Sequence, residues 1–479
     1  MVKKRSIVLT TTAIVLGTCG GYAVADAYDV APGWITNDAV AQPPAPFPAA
    51  VSPEIPIPDD PIPSLESDAP LPSAAAVQAL ANRLRDDSRM RASTGISVVD
   101  IVTGEVLASV RASIPRTPAS NDKMLTASAV FGALGPDLRL RTSVTWEGAN
   151  ASGTARVTLV AGGDMLLSAD YGHGGSGSSA NGYAGLADLA DEIVGTLSEA
   201  GVTTVNIVVD DHAFGGPVIP EGWGWSAVTH GYCAPPSGLA IDVGIVPGTR
   251  SDDENVEPER YLDPSLAVAD VFAHRLIERG FDIGTVTRGV EASGETEIGF
   301  VESAPLMDVL SYMLWYSDNT IAEVLLKVLA RESGLPGSTE AGTSEALVRL
   351  RSMGLDTTGI TMTDGSGYSS TNKIPPRALT DLVVLLARNP AWDDLLEQFP
   401  VGALRGTLYD RYGGSEAAGV VRAKTGSLSG VTALSGTVVT ADGRWLAFSV
   451  LADGLPWGQT NPRAAIDQFV AALAGCGCG

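Results

Sequence analysis

A hydroxyl and an amine stand three residues apart in Pro118-Ala-Ser120-Asn-Asp-Lys123. On a helix, positions i and i+3 are surface neighbours, so Ser120 and Lys123 can touch. A serine hydroxyl is a weak nucleophile until a base takes its proton, and a lysine kept neutral by burial and a nearby cation can be that base. This is acyl-transfer chemistry without histidine. Two further clusters bear on it. In Ser317-Asp-Asn319, the hydroxyl can pass a proton and the carboxamide can hold the lysine or donate to a substrate carbonyl, although the tripeptide alone reads equally as a helix N-cap. In Lys424-Thr425-Gly426-Ser427, the lysine offers a cation to a carboxylate, the threonine a hydroxyl beside it, and the glycine lets a ligand backbone lie along a strand. The four histidines, His173, His212, His230 and His274, have neither His-Glu-x-x-His nor other paired metal spacing, and Gly-x-Ser-x-Gly is absent. The histidines therefore read as ordinary polar residues.

The surrounding pattern supplies elements to position these groups. Val77, Leu80 and Leu84 recur at helical spacing, and residues 94–110 read as two strands turned at Thr103-Gly104. The helix carrying Ser120 continues through Met124, Leu125, Ala127, Ala129, Val130 and Phe131 and can end at Gly132 or Gly135, apolar enough to lie buried inside a domain. Residues 141–304 change to short strands and glycine-rich turns, with helices expected over 184–200 and 264–280, a strand over 203–210 and a Gly/Ser loop over 172–182. Helical runs 306–315 and 321–331 flank Ser317-Asp-Asn319. Beyond the tight-turn cluster Asp364-Gly-Ser-Gly-Tyr368, helices are expected over 376–388 and 392–398. A strand follows from 420, then an antiparallel pair over 431–440 and 444–453 turned at Asp442-Gly443, and an amphipathic helix over 461–475 that packs back on that sheet.

A length of 479 residues exceeds what one core usually holds. The formal charge of −24 repels phosphates and argues against nucleic acid as a partner. Lys3, Lys4 and Arg5 precede an apolar or small-residue run over 7–24 and Ala-x-Ala sites ending at Ala25 and Ala27, the pattern of export. Residues 1–27 are thus a signal peptide or a membrane anchor, the chain's one expected membrane contact, and the protein is expected outside the cytoplasm. Residues 28–75 hold 12 of the 30 prolines and read as an extended linker. The acidic stretch Asp252, Asp253, Glu254, Glu257, Glu259 lacks a calcium-loop spacing and reads as a solvated loop. Cys233, Cys476 and Cys478 permit at most one disulfide and suggest no catalytic thiol.

The order S-x-x-K, S-x-N, K-T-G is shared by penicillin-binding proteins and class A β-lactamases. The longer matches narrow it: Pro118-Ala-Ser-Asn-x-Lys123, Ser317-Asp-Asn-x-x-Ala-Glu323, Asp364-Gly-Ser-Gly367, Gly406-Thr-Leu408 and Lys424-Thr-Gly-Ser-Leu428 resemble the class C low-molecular-mass penicillin-binding proteins, D-alanyl-D-alanine carboxypeptidases/endopeptidases of peptidase family S13. That family also inserts extra domains between its first two motifs, matching the 193 residues between Lys123 and Ser317, and a Glu-x-x-Leu-Asn element of class A β-lactamases is missing. Met165 and Tyr368-Ser-Ser370 depart from the family pattern, which commonly has proline and Leu-Ser-Arg.

The resemblance implies an α+β fold, in which residues 76–140 and 305–479 form a penicillin-recognising, transpeptidase-like domain of a five-stranded antiparallel sheet with a helical cluster, and 141–304 form inserted domains. It implies Ser120, Lys123, Ser317, Asn319 and Lys424 as catalytic, Thr425, Gly426 and Ser427 as substrate-binding, and the backbone N–H groups of Ser120 and Ser427 as an oxyanion hole. The substrate would be the D-Ala-D-Ala end, or cross-links, of peptidoglycan stem peptides, with β-lactams as inhibitors and with no metal or organic cofactor needed. The alternatives are a wall-binding or β-lactam-sensing protein of the same fold that has lost turnover, and a β-lactamase. Burial and the neighbouring Lys424 cation predict that Lys123 titrates several units below the ordinary lysine value of about 10.4.

Overall fold

The computed structural model describes residues 68–90, 93–176, 179–251, 253, 256–456 and 461–476. The expected signal or anchor, nearly all of the proline-rich linker, Cys19, Asp252, Glu254 and Cys478 lie outside them. The described chain begins with helix α1 (Ala74–Asp86), strands β1 (Ser93–Asp100) and β2 (Val106–Val110), and a 3-10 turn, Ala119–Asn121, that leads into α2 (Asp122–Leu134). The middle stretch contributes β3 (Arg141–Ala149), β4 (Thr154–Val160), β5 (Asp164–Leu167), α3 (Leu186–Glu199), β6 (Thr204–Asp210), β7 (Leu239–Ile241), α4 (Pro264–Ile277), β8 (Asp282–Arg288) and β9 (Thr296–Glu302). Then come α5 (Leu306–Tyr316), α6 (Asn319–Glu332), α7 (Thr339–Met353), α8 (Pro376–Ala387), β10 (Val421–Leu428), β11 (Val431–Val439), β12 (Trp445–Asp453) and α9 (Asn461–Ala474).

The first and last parts of the chain share one antiparallel sheet in the order β10-β11-β12-β1-β2. Its strands are rich in β-branched and small residues buried on both faces, so helices must cover both sides. On one face α1 and α9 pack Val77, Ala81, Leu84, Ile466, Phe469 and Val470 against Ile96, Val98, Phe448 and Val450. On the other face α8 places Leu379, Leu382 and Val383 in a core that takes in Ala433, Ala447 and Leu451 of the sheet and extends through α2, α5, α6 and α7. Two pairs of buried hydroxyls bridge neighbours in this layer: Ser435 with Ser449 at 2.8 Å, and Ser97 with Thr380 at 2.8 Å.

Helix α2 is buried all round from Asp122 to Phe131, in keeping with the apolar and small residues that follow Lys123. Gly135, at φ 78°, ends it, whereas Gly132 lies inside the helix, where a Cβ would come 2.9 Å from the Met353 sulfur of α7. Helix α7 itself escapes sequence periodicity. Gly342 near its start and the exposed Val348 blur the apolar stripe, yet that glycine is what seats it, since a Cβ there would lie 2.4 Å from the Leu326 carbonyl of α6. The helix expected over 392–398 shrinks to a single turn, Asp394–Glu397.

Residues 141–302 carry a second, mixed sheet in the order β8-β6-β4-β3-β9, parallel from β8 to β4 and antiparallel from β4 to β9, with a parallel pair β5–β7 beside it. Helices α3 and α4, the two expected there, pack against it. Among the described residues no helix is long and apolar enough to cross a membrane.

The sheet of β1 and β12 is locked at one end by charge. The Arg444 guanidinium donates from Nε and Nη2 to the two Asp100 oxygens at 2.6 and 2.7 Å, and both side chains are almost fully buried. Burial alone would raise the Asp100 carboxyl; the hydrogen bonds from Arg444 and Thr103 hold it below the ordinary range instead. Removing one partner leaves the other charge buried and uncompensated. Arg444→Met is therefore expected to cost about 3–5 kcal/mol in urea denaturation. A loss under about 1 kcal/mol, the value of an exposed pair, would show that this ion pair does not hold the sheet.

Candidate active site

The turn of the expected nucleophile, Ser120, is built by strain and burial together. Ala119 has φ 48°, a left-handed conformation unfavourable for a residue with a Cβ, and it stands immediately before the half-buried Ser120. The i, i+3 relation then holds: Lys123 Nζ lies 3.1 Å from Ser120 Oγ. Lys123 is fully buried and also donates to Asn319 Oδ1 at 2.7 Å and to the Ser366 carbonyl at 2.8 Å. Ser317 closes α5 in a left-handed conformation, φ 56°, and Asp318 caps α6 by accepting from Ile321 N at 2.8 Å. This sharp junction lets Ser317 and Asn319 point to different partners: Lys424 Nζ donates to Ser317 Oγ at 2.8 Å, while Asn319 reaches Lys123.

Strand β10 runs beside the nucleophile turn. Asn121 Nδ2 donates to the Lys424 carbonyl at 2.8 Å, and a Cβ on Gly426 would come 2.8 Å from the Pro118 carbonyl. Only glycine permits that approach. Lys424, read from the sequence as a cation for a carboxylate, is fully buried with its Nζ on Ser317 Oγ and on the Thr425 carbonyl. The outward groups of the strand are the Thr425 hydroxyl, donating to Thr407 Oγ1 at 2.8 Å, and the exposed Ser427. All eight residues singled out from the sequence thus converge on one stretch of structure.

Two lysines buried side by side dominate the electrostatics. Burial pushes Lys123 down to about 8, and Asp318, Asp364, Glu323 and Asp122 keep it from falling further. Lys424 is driven well below its ordinary range by burial and then by the charge of Lys123. The expected repulsion between the lysines therefore falls on Lys424, and for Lys123 the dominant cause is desolvation. Behind them lie three buried acids. Burial, reinforced by Asp364, raises Glu323 to about 8, and burial with Asp364 and Glu323 raises Asp122 well above the carboxylate range.

Sequence reasoning missed several contributors. The turn Asp364-Gly-Ser-Gly367, matched as a motif but given no role from the sequence, is part of the site: Glu323 Oε1 accepts from Gly365 N and Ser366 N at 2.9 and 2.8 Å, and Asp364 accepts from Gly367 N, Ser369 N, Asn372 Nδ2 and Trp223 Nε1 at 2.6 to 2.7 Å. The inserted stretch also reaches in. Its Tyr232 carbonyl accepts from Asn319 Nδ2 at 2.9 Å, Ala234 N donates to Thr320 Oγ1 at 3.0 Å, and Lys327 Nζ donates to the Pro236 carbonyl at 2.9 Å. Trp223 and Tyr368 rings pack at 4.8 Å beside it. Cys233 sits in this stretch as a buried, free thiol, so it is not bridged to Cys476. The motif Gly406-Thr-Leu408 hinted at Thr407, but nothing local marks Tyr232. Gly367, at φ 80°, is the tightest point: a Cβ there would lie 1.9 Å from the Ala119 carbonyl. Gly367→Ala must displace the backbone that aims Ser120, so turnover is expected to fall on the order of 10²-fold, with the protein still folded by circular dichroism. Wild-type turnover in that variant would show the turn to be a passive neighbour.

This geometry has relatives. The model of the D-Ala-D-Ala carboxypeptidase 3 (S13) family matches residues 76–261 and 253–475. A carboxypeptidase DacB of Mycolicibacterium smegmatis is 34% identical over 451 residues, 93% of this chain and 92% of that one. A D-alanyl-D-alanine carboxypeptidase of an Actinomadura species is 28% identical over 466 residues, 82% of this chain and 83% of the other. The crystal structure of penicillin binding protein 4 (dacB) from Haemophilus influenzae shares the fold, with a TM-score of 0.67 at 23% sequence identity over 83% of this chain and 98% of that one. With a five-stranded antiparallel sheet, a helical cluster and a Ser120–Lys123 pair between them, the chain belongs to the D-Ala-D-Ala carboxypeptidase 3 (S13) family and is a serine-type DD-peptidase.

Proposed function

We propose that Ser120 is the nucleophile and Lys123 its base, acting on peptidoglycan stem peptides ending in D-Ala-D-Ala. The observation that carries the reading is the 3.1 Å contact between a half-buried hydroxyl and a fully buried amine whose charge is disfavoured. Ser120 Oγ attacks the carbonyl carbon of the penultimate D-alanine as its proton passes to Lys123 Nζ. The negative oxygen is received by the backbone N–H groups of Ser120 and Ser427. The C–N bond breaks as the departing amine of the terminal D-alanine takes a proton, through Ser317 and the buried lysines that flank it. Water then opens the Ser120 ester and restores the hydroxyl. Thr425, with Gly426 and Ser427 along β10, holds the substrate and its terminal carboxylate.

The same steps cleave a cross-link when the leaving amine belongs to a second stem peptide. A β-lactam enters as a cyclic amide whose leaving group stays tethered, so its ester persists and inhibits. The basic then apolar N-terminus, together with a substrate in the wall, supports action outside the cytoplasm, with the N-terminal segment as the contact with the membrane.

Two outcomes test the roles. Ser120→Ala should abolish covalent labelling by a fluorescent penicillin while leaving the fold intact; a persistent adduct would remove Ser120 from its role. Because the neutral form of Lys123 is the active one, acylation should rise with pH and level off above about 8. Lys123→Arg keeps the charge but cannot deprotonate in this range, and stopped-flow acylation should fall roughly 10²–10⁴-fold. A near wild-type rate in the arginine variant would mean that another group is the base.

A further inference from the structure

A base does more than sit near its proton: its lone pair must face it. Protonated, Lys123 Nζ carries three N–H donors, and three acceptors surround it, Ser120 Oγ, Asn319 Oδ1 and the Ser366 carbonyl. Neutral, it keeps two donors and one lone pair. Neither Asn319 Oδ1 nor the Ser366 carbonyl can donate, so both N–H bonds go to them. The lone pair is then left for the one contact that carries a proton, the Ser120 hydroxyl. The direction of the lone pair thus depends on how firmly the two acceptors are held.

Both acceptors are anchored from α6. Asn319 stands at its first turn and is steadied by donating to the Tyr232 carbonyl. One turn on, at i+4, Glu323 is fully buried and takes the Gly365 and Ser366 N–H groups on a single oxygen. The Gly365–Ser366 peptide and the residue that carries the acceptor carbonyl are thereby fixed relative to the helix that carries Asn319. On the far side Thr126 of α2 donates to the Gly365 carbonyl at 2.7 Å, tying the same turn to the helix of Lys123. Among the described residues the second oxygen of Glu323 and both oxygens of Asp122 have no hydrogen-bond partner, so Glu323 makes its polar contacts toward the turn alone. The charged or titratable groups facing it are Asp122, Lys123 and Asp364, with Lys327 one turn on in α6 and the Cys233 thiol.

We propose that Glu323 is a positioning residue for the general base: by holding the Gly365 and Ser366 N–H groups it aims the Ser366 carbonyl at Lys123 and so leaves the amine lone pair facing Ser120. This deepens the Ser120–Lys123 reading and rests on it. The role needs an acceptor at this position, not a negative charge, and a glutamine carboxamide oxygen supplies one.

The experiment is stopped-flow acylation of the full chain by a fluorescent penicillin, resolving the non-covalent binding constant from the first-order acylation constant. In Glu323→Leu the acylation constant should fall on the order of 10²-fold, the scale of a misaimed reacting group, while non-covalent binding is unchanged. In Glu323→Gln most of the rate should return, leaving a loss below about tenfold by the same scale. The proposal is overturned if the leucine variant acylates at the wild-type rate, if its loss lies in binding instead, or if glutamine falls as far as leucine. If leucine prevents folding, Glu323→Met, unbranched and similar in length, takes its place under the same criteria. A wild-type protein that is not labelled at all would instead sink the Ser120–Lys123 reading before any variant is compared.

Discussion

Burying two lysine amines in one water-poor site is the constraint on which the rest of this structure depends. Either ammonium alone would be costly to desolvate, and two together repel as well. The fold answers by giving each Nζ oxygen partners, by surrounding Lys123 with Asp122, Glu323 and Asp364, and by letting the amines lose protons more easily than exposed lysines do. The same compromise suits the base role proposed for Lys123. A lysine that titrates near 8 is neutral often enough to act as a base and still basic enough to take a proton.

That arrangement demands a rigid frame, because its distances come from four separate stretches of chain. The 3-10 turn and the start of α2 bring Ser120 and Lys123, the α5–α6 junction brings Ser317 and Asn319, the 364–367 turn brings a carbonyl, and β10 brings Lys424. The backbone stores strain at two of the joints, Ala119 and Ser317, both in left-handed conformations without being glycine. Such strain persists only where packing over-determines the local shape. Here the all-round burial of α2 and the close seating of Gly367 and Gly426 against 118–119 provide that packing.

The stretch inserted between the first two motifs is more than an appendage. It has a sheet of its own, yet it also places Tyr232, Ala234, Pro236 and Trp223 against Asn319, Thr320, Lys327 and Asp364. One wall of the catalytic cleft is therefore supplied by residues more than eighty positions away in sequence from α6. Changes in that stretch can alter how Asn319 is held without touching any of the three motifs.

What the sequence determines by itself is local. The i, i+3 relation of Ser120 and Lys123, the β-branched strands and the buried, largely apolar α2 all follow from spacing and side-chain type, and the structure realises each of them. The order of the motifs then points to the family without any knowledge of contacts. What only the tertiary structure decides is everything that depends on long-range approach. Glu323 and Ser366 are 43 residues apart, and no periodicity links them. Lys424 reads from the sequence as a cation for a carboxylate, and only the packing of β10 against Ser317 shows where its amine is held. Helix α7 hides because its seat is a glycine chosen for the closeness of α6, a requirement of shape rather than of amphipathic pattern. The balance of charge on Lys123 likewise needs the tertiary structure, since the acids that oppose desolvation come from α2, the α5–α6 junction, α6 and the 364–367 turn and meet only when the core closes.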